Sequence, residues 1–236
     1  MHRLKHLLSS ALVALAAGLL LFAGTLAAVS ADKGGVRDKL WRIVTSCLGP
    51  EDAGYCRRCD SPRIDTACPH SGRCEDTTEV WRETNEFVAI RDIKMCSCPA
   101  GFVHGLALPR ARVKGIEASP LADGIWTFAW AVAREKIADE STIALVVNSV
   151  RRRSQDQLHV HLVRLRDDAR QNFTGRIASV SGLDAVWSAA RQLTANQPPL
   201  KDYNVLVASD LKGGFEVLVE SNERSLERTY TQRTCR

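Results

Sequence analysis

The sequence predicts an α+β protein in which helices pack against an antiparallel β-sheet. Two short apolar segments, residues 86–91 and 102–108, are separated by ten residues, a connection of the length that joins antiparallel strands. Two other segments carry apolar residues at intervals of three and four, the period of an α-helix. At 236 residues with 45% hydrophobic content, the chain is long enough to bury a sizeable core.

Residues 1–31 form a candidate export segment ahead of a catalytic domain predicted at 32–236. A basic start, MHRLKH, is followed by Leu7 to Val29 without a charged residue. That length suits a membrane-spanning helix, which needs roughly 20 residues, and favours an uncleaved single-pass anchor. The sequence VSA at 29–31 also resembles a signal cleavage site, so a cleaved signal stays open. Because the positive flank remains inside, both alternatives place the domain across the membrane, on the periplasmic side of an inner membrane.

Eight cysteines support an exported location. An even number in such a chain indicates disulfides, whose pairing the sequence does not determine. The alternative is structural zinc, because the spacing of Cys56, Cys59, Cys68, His70 and Cys74 suits that metal. Export favours disulfides over zinc.

The charge of the chain argues against one class of partner. The net charge is +5, and Arg3 and Lys5 in the export segment contribute two of the positive charges. The remaining excess is too small to predict nucleic-acid binding, which usually requires a basic stripe. It is compatible with work beside an anionic membrane surface. The oligomeric state stays open.

The elements before the centre of the chain follow in order. Apolar residues from Val36 to Val44 predict a short helix before Cys47. Residues 47–79 lack a period and are rich in cysteine, proline and glycine, which indicates a cross-linked, loop-rich insert. The two strands described above come next, and Pro109 ends the second. A helix is then predicted over residues 125–137, with its two tryptophans in the core.

Residues 143–165 are predicted to form a strand, a basic loop and a second strand, and the last helix and two strands follow at 183–193, 205–208 and 215–219. Gln157, His159 and His161 alternate along the second strand of the central unit, so they share one face. Leu158, Val160 and Leu162 face the core.

The histidine pair admits three interpretations. It is a buried structural pair, a metal chelate, or a nucleophile with its neighbour. Metal is the weaker of the two functional ones, because no carboxylate or third histidine follows at regular spacing. Gln157 is a poor zinc ligand but a good hydrogen-bond partner for a phosphate oxygen. The preceding loop adds three arginines, at 151–153, that suit an anionic ester.

The central unit resembles the histidine-triad superfamily of nucleotide hydrolases and transferases, in which three alternating histidines are separated by apolar residues. By position, the resemblance implies that His159 is the nucleophile and His161 its last partner. Gln157 stands where the superfamily has its first histidine. Asn148 matches an asparagine that orients the nucleophile, and Ser154 matches a phosphate-contacting residue. The implied fold is histidine-triad-like, without a cofactor or a metal.

The segment HGLALPR at 104–110 resembles the hairpin that precedes this motif, with His104 facing the active site. The predicted substrate-binding residues are therefore Ser154, Arg153, His104 and Arg110. Within the superfamily, the CDP-diacylglycerol pyrophosphatase family is the most similar. It shares the N-terminal anchor, the GIEASP segment at 115–120 and the SQDQLHVH segment at 154–161.

This resemblance implies a membrane enzyme of phospholipid metabolism that hydrolyses CDP-diacylglycerol to CMP and phosphatidate through a nucleotidyl-histidine intermediate. Its partners would be the lipid substrate and the membrane surface. Two alternatives remain. One is a histidine-triad hydrolase or transferase that acts on a soluble nucleotide conjugate. The other is a non-catalytic binding domain held together by disulfides.

Overall fold

Eight strands of this chain pair into an antiparallel sheet, seen in a computed structural model that describes residues 36–49, 51–196, 198–221 and 223–235. The order across the sheet is β1-β2-β3-β5-β4-β7-β8-β6. The strands are β1 Val80–Glu83, β2 Phe87–Arg91, β3 His104–Pro109, β4 Ile143–Val147, β5 Val160–Arg164, β6 Arg176–Val180, β7 Tyr203–Ser209 and β8 Phe215–Ser221. The α-helices are α1 Lys39–Arg42, α2 Tyr55–Arg58, α3 Ile125–Lys136, α4 Val186–Ala195 and α5 Leu226–Tyr230. The class is α+β, as predicted.

One face of the sheet is covered by α3 and α4. Their apolar sides pack on inward residues of the central strands, including Leu145 and Leu162. Trp126 and Trp130 are both buried there, which confirms their predicted place in the core. Because the sheet is covered on both faces, the central strand β4 is apolar at all five positions and buried throughout.

The other face carries two separate apolar clusters. Over β2 and β3, residues such as Ile90 and Leu106 pack against the N-terminal helical segment, where a π-helical turn, Ile43–Cys47, continues α1. Over β4, β7 and β8, a second cluster includes Val146 and packs against α5. In one cross-strand row, Ile90, Leu106, His161 and Val146 stand side by side. His161 therefore lies between the two clusters.

The eight cysteines form four disulfides, which confirms that prediction. The pairs are Cys47–Cys59, Cys56–Cys68, Cys74–Cys96 and Cys98–Cys235. The zinc alternative is wrong, because every cysteine it required is bonded to another cysteine. The first two bridges hold the loop-rich insert, and the fourth ties the C-terminal segment to the connection between β2 and β3.

The predicted strands and helices recur with shifts of a few residues at their ends. Two edge strands, β1 and β6, and two short helices, α2 and α5, were not predicted. No helix within the described residues is long and apolar enough to cross a membrane. The predicted export segment at residues 1–31 lies outside those residues.

Candidate active site

A cavity of about 200 Å³ opens above β2, β3 and β5, beside the apolar cluster that includes Ile90 and Leu106. His161 lines it from β5, His159 from the position just before that strand, and Ser154 from the preceding loop. Residues of α1 and of the cysteine-rich insert form the opposite wall, among them Leu40 and Thr78. The insert is therefore part of the enclosure around the histidines.

His159 stands immediately before β5, with 6% of its surface exposed. Its Nδ1 is 2.7 Å from the carbonyl oxygen of Gln157, which can only accept, so Nδ1 carries the proton. Nε2 then holds the lone pair, and no hydrogen bond from a described residue occupies it. Burial lowers the pKa of His159 below its ordinary value, which favours the neutral ring at pH 7. An imidazole held this way can attack an electrophile in the cavity.

A chain of hydrogen bonds runs through the other two histidines. The carbonyl oxygen of Arg233 accepts from Nδ1 of His104 at 3.3 Å, so Nε2 of His104 is an acceptor. It receives a bond from Nδ1 of His161 at 3.1 Å, and Nε2 of His161 receives one from Nδ2 of Asn148 at 3.2 Å. Burial lowers the pKa of both histidines, which agrees with the neutral tautomers that this chain requires. Asn148 thus contacts His161, not the predicted nucleophile His159.

A carboxylate that the sequence did not single out completes this network. Glu227 of α5 is 4% exposed, and its Oε2 accepts a second hydrogen bond from Nδ2 of Asn148 at 2.8 Å. Its Oε1 accepts from Nζ of Lys94, another cavity-lining residue, at 2.6 Å. Burial opposes ionisation of Glu227, but the charge of Lys94 and its hydrogen bond favour the carboxylate, and the pKa of Glu227 lies below its ordinary value.

Three of these side chains also have the separations of a metal site. One ligand atom each from Asp92, His104 and His161 lie within 4.8 Å of one another. The fold therefore supplies the carboxylate and third histidine that regular spacing along the sequence did not reveal. The imidazole nitrogens concerned, however, already bond to each other at 3.1 Å. A metal would have to displace that bond and change the tautomer of His161, so the hydrogen-bonded chain fits these residues better.

The side chain of Gln157 is not directed to the histidines. Its amide donates to the carbonyl oxygens of Pro109 and Ala111 at 2.9 and 2.8 Å and accepts from the N–H of Val113 at 3.3 Å. These bonds hold the connection after β3 against the start of β5. Only the main-chain carbonyl of Gln157 reaches the candidate nucleophile.

Two predicted substrate-binding arginines lie elsewhere. Arg153 is buried and forms an ion pair with Glu117. Arg110 pairs with Glu83 at the far end of β3 and donates to the carbonyl oxygen of Thr84. Neither lines the cavity, because acidic partners hold both guanidinium groups outside it. Their predicted contact with substrate is not supported.

The cations that do line the cavity come from other segments. They are Lys39 of α1 and Lys94 in the turn after β2. Arg91 at the end of β2 also borders the cavity, but its side chain is only 8% exposed and is held by Glu79, with Nε 3.0 Å from Oε2, and by the carbonyl oxygen of Cys74 at 3.0 Å. Two lysines beside a neutral imidazole suit a substrate with a pyrophosphate group.

The sequence also places this chain in a known protein family. A sequence model of the CDP-diacylglycerol pyrophosphatase family matches residues 35–197, which include all the cavity-lining residues named above. A search of curated proteins found no match.

Proposed function

The chain belongs to the CDP-diacylglycerol pyrophosphatase family of hydrolases, and on that premise we propose that it cleaves CDP-diacylglycerol to CMP and phosphatidate through a nucleotidyl-histidine intermediate. The observation that carries the mechanism is the hydrogen bond from Nδ1 of His159 to the carbonyl oxygen of Gln157. It leaves the lone pair of a neutral imidazole at Nε2, beside the cavity. The alternating histidines on an antiparallel sheet also support a histidine-triad-like fold.

In the first step, Nε2 of His159 attacks the phosphorus that bears cytidine. A phosphorus–nitrogen bond forms, the bridging phosphorus–oxygen bond breaks, and phosphatidate leaves with the bonding electrons. The positive charge that develops on the ring is spread toward Nδ1, whose proton is held by the carbonyl oxygen of Gln157 at 2.7 Å. Water then attacks the same phosphorus, releases CMP and restores neutral His159.

The cavity-lining cations support the first step. The leaving group is a phosphate monoester, with a second pKa of about 6, so it can depart without a general acid if its charge is stabilised. Lys39 and Lys94 supply positive charge around the cavity. Ser154 lines it too and offers a hydroxyl to a phosphate oxygen.

The apolar part of the cavity indicates where the lipid lies. From His161 toward the edge of the sheet, the cross-strand row continues with Leu106 and Ile90. Ile43 covers this side, and Ile93 lies at the cavity with 53% of its surface exposed. We assign this side to the glycerol and the first acyl carbons, which leaves the cytidine toward the Ser154 loop.

The proposed cellular location of the protein follows from the lipid part of the same substrate. The acyl chains of CDP-diacylglycerol remain in a bilayer, and the uncharged segment at 7–29 would hold the domain beside it. The four disulfides support an oxidising compartment. We therefore propose a single-pass anchor in the inner membrane with the catalytic domain on the periplasmic side.

The test is capture of the intermediate. The protein is mixed with CDP-diacylglycerol labelled in the cytidine half, then isolated without acid, because a phosphoramidate is acid-labile. We expect label on the peptide that contains His159, and none in His159→Ala. His70→Ala is the matched control, since His70 is exposed and outside the cavity. CMP release without a labelled protein in rapid-quench samples would exclude the covalent intermediate.

A further inference from the structure

We propose that Glu227 is a positioning residue of this reaction, acting through Lys94 and Asn148; the inference rests on the proposed function. Glu227 lies beyond residue 197, where the family match ends. It reaches the site from α5, 133 residues along the chain from Lys94. The C-terminal segment thus adds a carboxylate behind a cavity whose lining residues lie within the matched range.

The two oxygens of Glu227 have different partners. Oε1 accepts from Nζ of Lys94 at 2.6 Å, and Oε2 accepts from Nδ2 of Asn148 at 2.8 Å. Oε1 is also 3.6 Å from Nε2 of His104, and Oε2 is 3.5 Å from Nε2 of His161. A buried carboxylate is costly unless it is paired and hydrogen-bonded, and the bonds from Lys94 and Asn148 meet that requirement.

The hydrogen bond between Lys94 and Glu227 fixes the position of the Lys94 ammonium group at the cavity wall. The side chain of Lys94 is 28% exposed and lines the cavity, whereas Glu227 is buried behind it. An ammonium group has three donors, and Glu227 takes one of them. The remaining donors stay available to the oxygens of a bound pyrophosphate. Without the carboxylate, a flexible four-carbon side chain would have no fixed position at the cavity wall.

The hydrogen bond from Asn148 to Glu227 fixes the orientation of the Asn148 side-chain amide. Nδ2 of Asn148 donates to Glu227 and to Nε2 of His161, while its Oδ1 accepts from Oγ of Ser225 at 3.3 Å. Rotating the amide by half a turn would place Oδ1 against two acceptors. Glu227 therefore selects one orientation of Asn148, and Asn148 in turn selects the tautomer of His161.

The position of α5 is itself secured. Leu226 and Tyr230, on either side of Glu227 in the helix, are 0% and 1% exposed in the cluster over β4 and β8. Beyond the helix, the Cys98–Cys235 disulfide ties the segment to the connection after β2. The carboxylate is thus presented by an anchored element, which a positioning role requires.

The test compares kcat and KM for CMP release from CDP-diacylglycerol. Glu227→Gln removes the charge and cannot accept from both Lys94 and Asn148 through one oxygen. We expect kcat to fall about 10- to 100-fold, the equivalent of one hydrogen bond to a charged group, with a smaller change in KM. Glu227→Asp, which keeps the charge, should recover part of the loss. Glu220→Gln is the control, because Glu220 is another buried carboxylate that bonds Tyr230 of the same helix at 3.1 Å.

A double-mutant cycle separates positioning from a structural role. In a Lys94→Ala background, Glu227→Gln should lower kcat by a clearly smaller factor than it does in the wild type. The reason is that the ammonium group which Glu227 positions is already absent. Equal losses in both backgrounds, or equal loss in Glu220→Gln, would overturn the inference. So would unchanged kcat in Glu227→Gln while the wild type is active. A wild type that releases no CMP would overturn the proposed function and the inference with it.

Discussion

His159 donates a hydrogen bond from Nδ1 to the carbonyl oxygen of Gln157, two residues earlier on the same chain segment, at 2.7 Å. The bond assigns the proton to one nitrogen and the lone pair to the other. It needs no side chain from position 157, so the glutamine found there does not disturb it. The relationship ties the candidate nucleophile to the backbone of the segment that leads into β5.

Replacing the nucleophile should abolish turnover without unfolding the protein. We expect His159→Ala to lower CMP release on the order of 10³-fold or more, because it removes the group that forms the covalent bond. The melting temperature should change by only a few degrees. Steady-state kinetics and thermal unfolding test this, with His70→Ala as control. Turnover close to that of wild type in a folded His159→Ala protein would rule out the mechanism.

The amide of Gln157 should matter for stability more than for chemistry. Gln157→Ala leaves the carbonyl oxygens of Pro109 and Ala111 without this donor, and the bond to Pro109 is buried. We expect a loss of about 1–3 kcal/mol in the free energy of unfolding. Urea unfolding measures it. Labelling with cytidine should persist in the folded fraction; loss of labelling at unchanged stability would instead indicate direct contact with substrate.

The acidic decline of kcat/KM should have its midpoint below pH 6.5. His159 attacks only when neutral, and burial lowers its pKa from 6.5. The neutral form therefore predominates at pH 7 and declines as pH falls through the lowered pKa. kcat/KM should be flat near neutrality and drop at more acidic pH. A profile of kcat/KM against pH tests this, and a midpoint above 6.5 would contradict it.

The same histidines should make the fold acid-sensitive. The pKa values of His104, His159 and His161 are all lowered by burial, so the unfolded chain binds more protons once pH falls below about 6.5. The free energy of unfolding should therefore decrease as pH falls from 6.5. Urea unfolding between pH 7 and 5 measures the slope. The triple variant with glutamine at these positions should show a smaller slope.

The lipid side of the cavity can be tested at its exposed edge. Ile93→Ser removes an apolar surface that is 53% exposed, so folding should not suffer. We expect KM for CDP-diacylglycerol to rise about 3- to 10-fold, from partial loss of an isoleucine contact. A soluble CDP ester should be cleaved as before. Ile177→Ser, an exposed isoleucine of β6, is the control. Equal effects on both substrates would contradict the assigned orientation.

Much of the fold could be predicted because its central elements are long and strongly patterned. β4 is a continuous apolar run, and α3 keeps a helical period over twelve residues. The edge strands β1 and β6 escaped prediction because they are short, lie partly exposed and mix apolar with polar residues. The five-residue helix α5 is too short to show a period.

The candidate site could likewise be predicted only in part. Period-two spacing correctly placed His159 and His161 together at the cavity. Local sequence could not reveal that Glu227 pairs with Lys94, since that contact is made by the folded chain. The loop arginines were predicted from charge alone, and acidic partners such as Glu117 take Arg153 away from the cavity.

The Cys98–Cys235 disulfide has a consequence for biosynthesis. On the proposed periplasmic location, this bond forms only after the chain has been made through Cys235 and exported, and it then ties the segment that carries Glu227 to the connection after β2. On the proposed periplasmic location, the enzyme cannot consume a phospholipid precursor on the side of the membrane where that enzyme is translated.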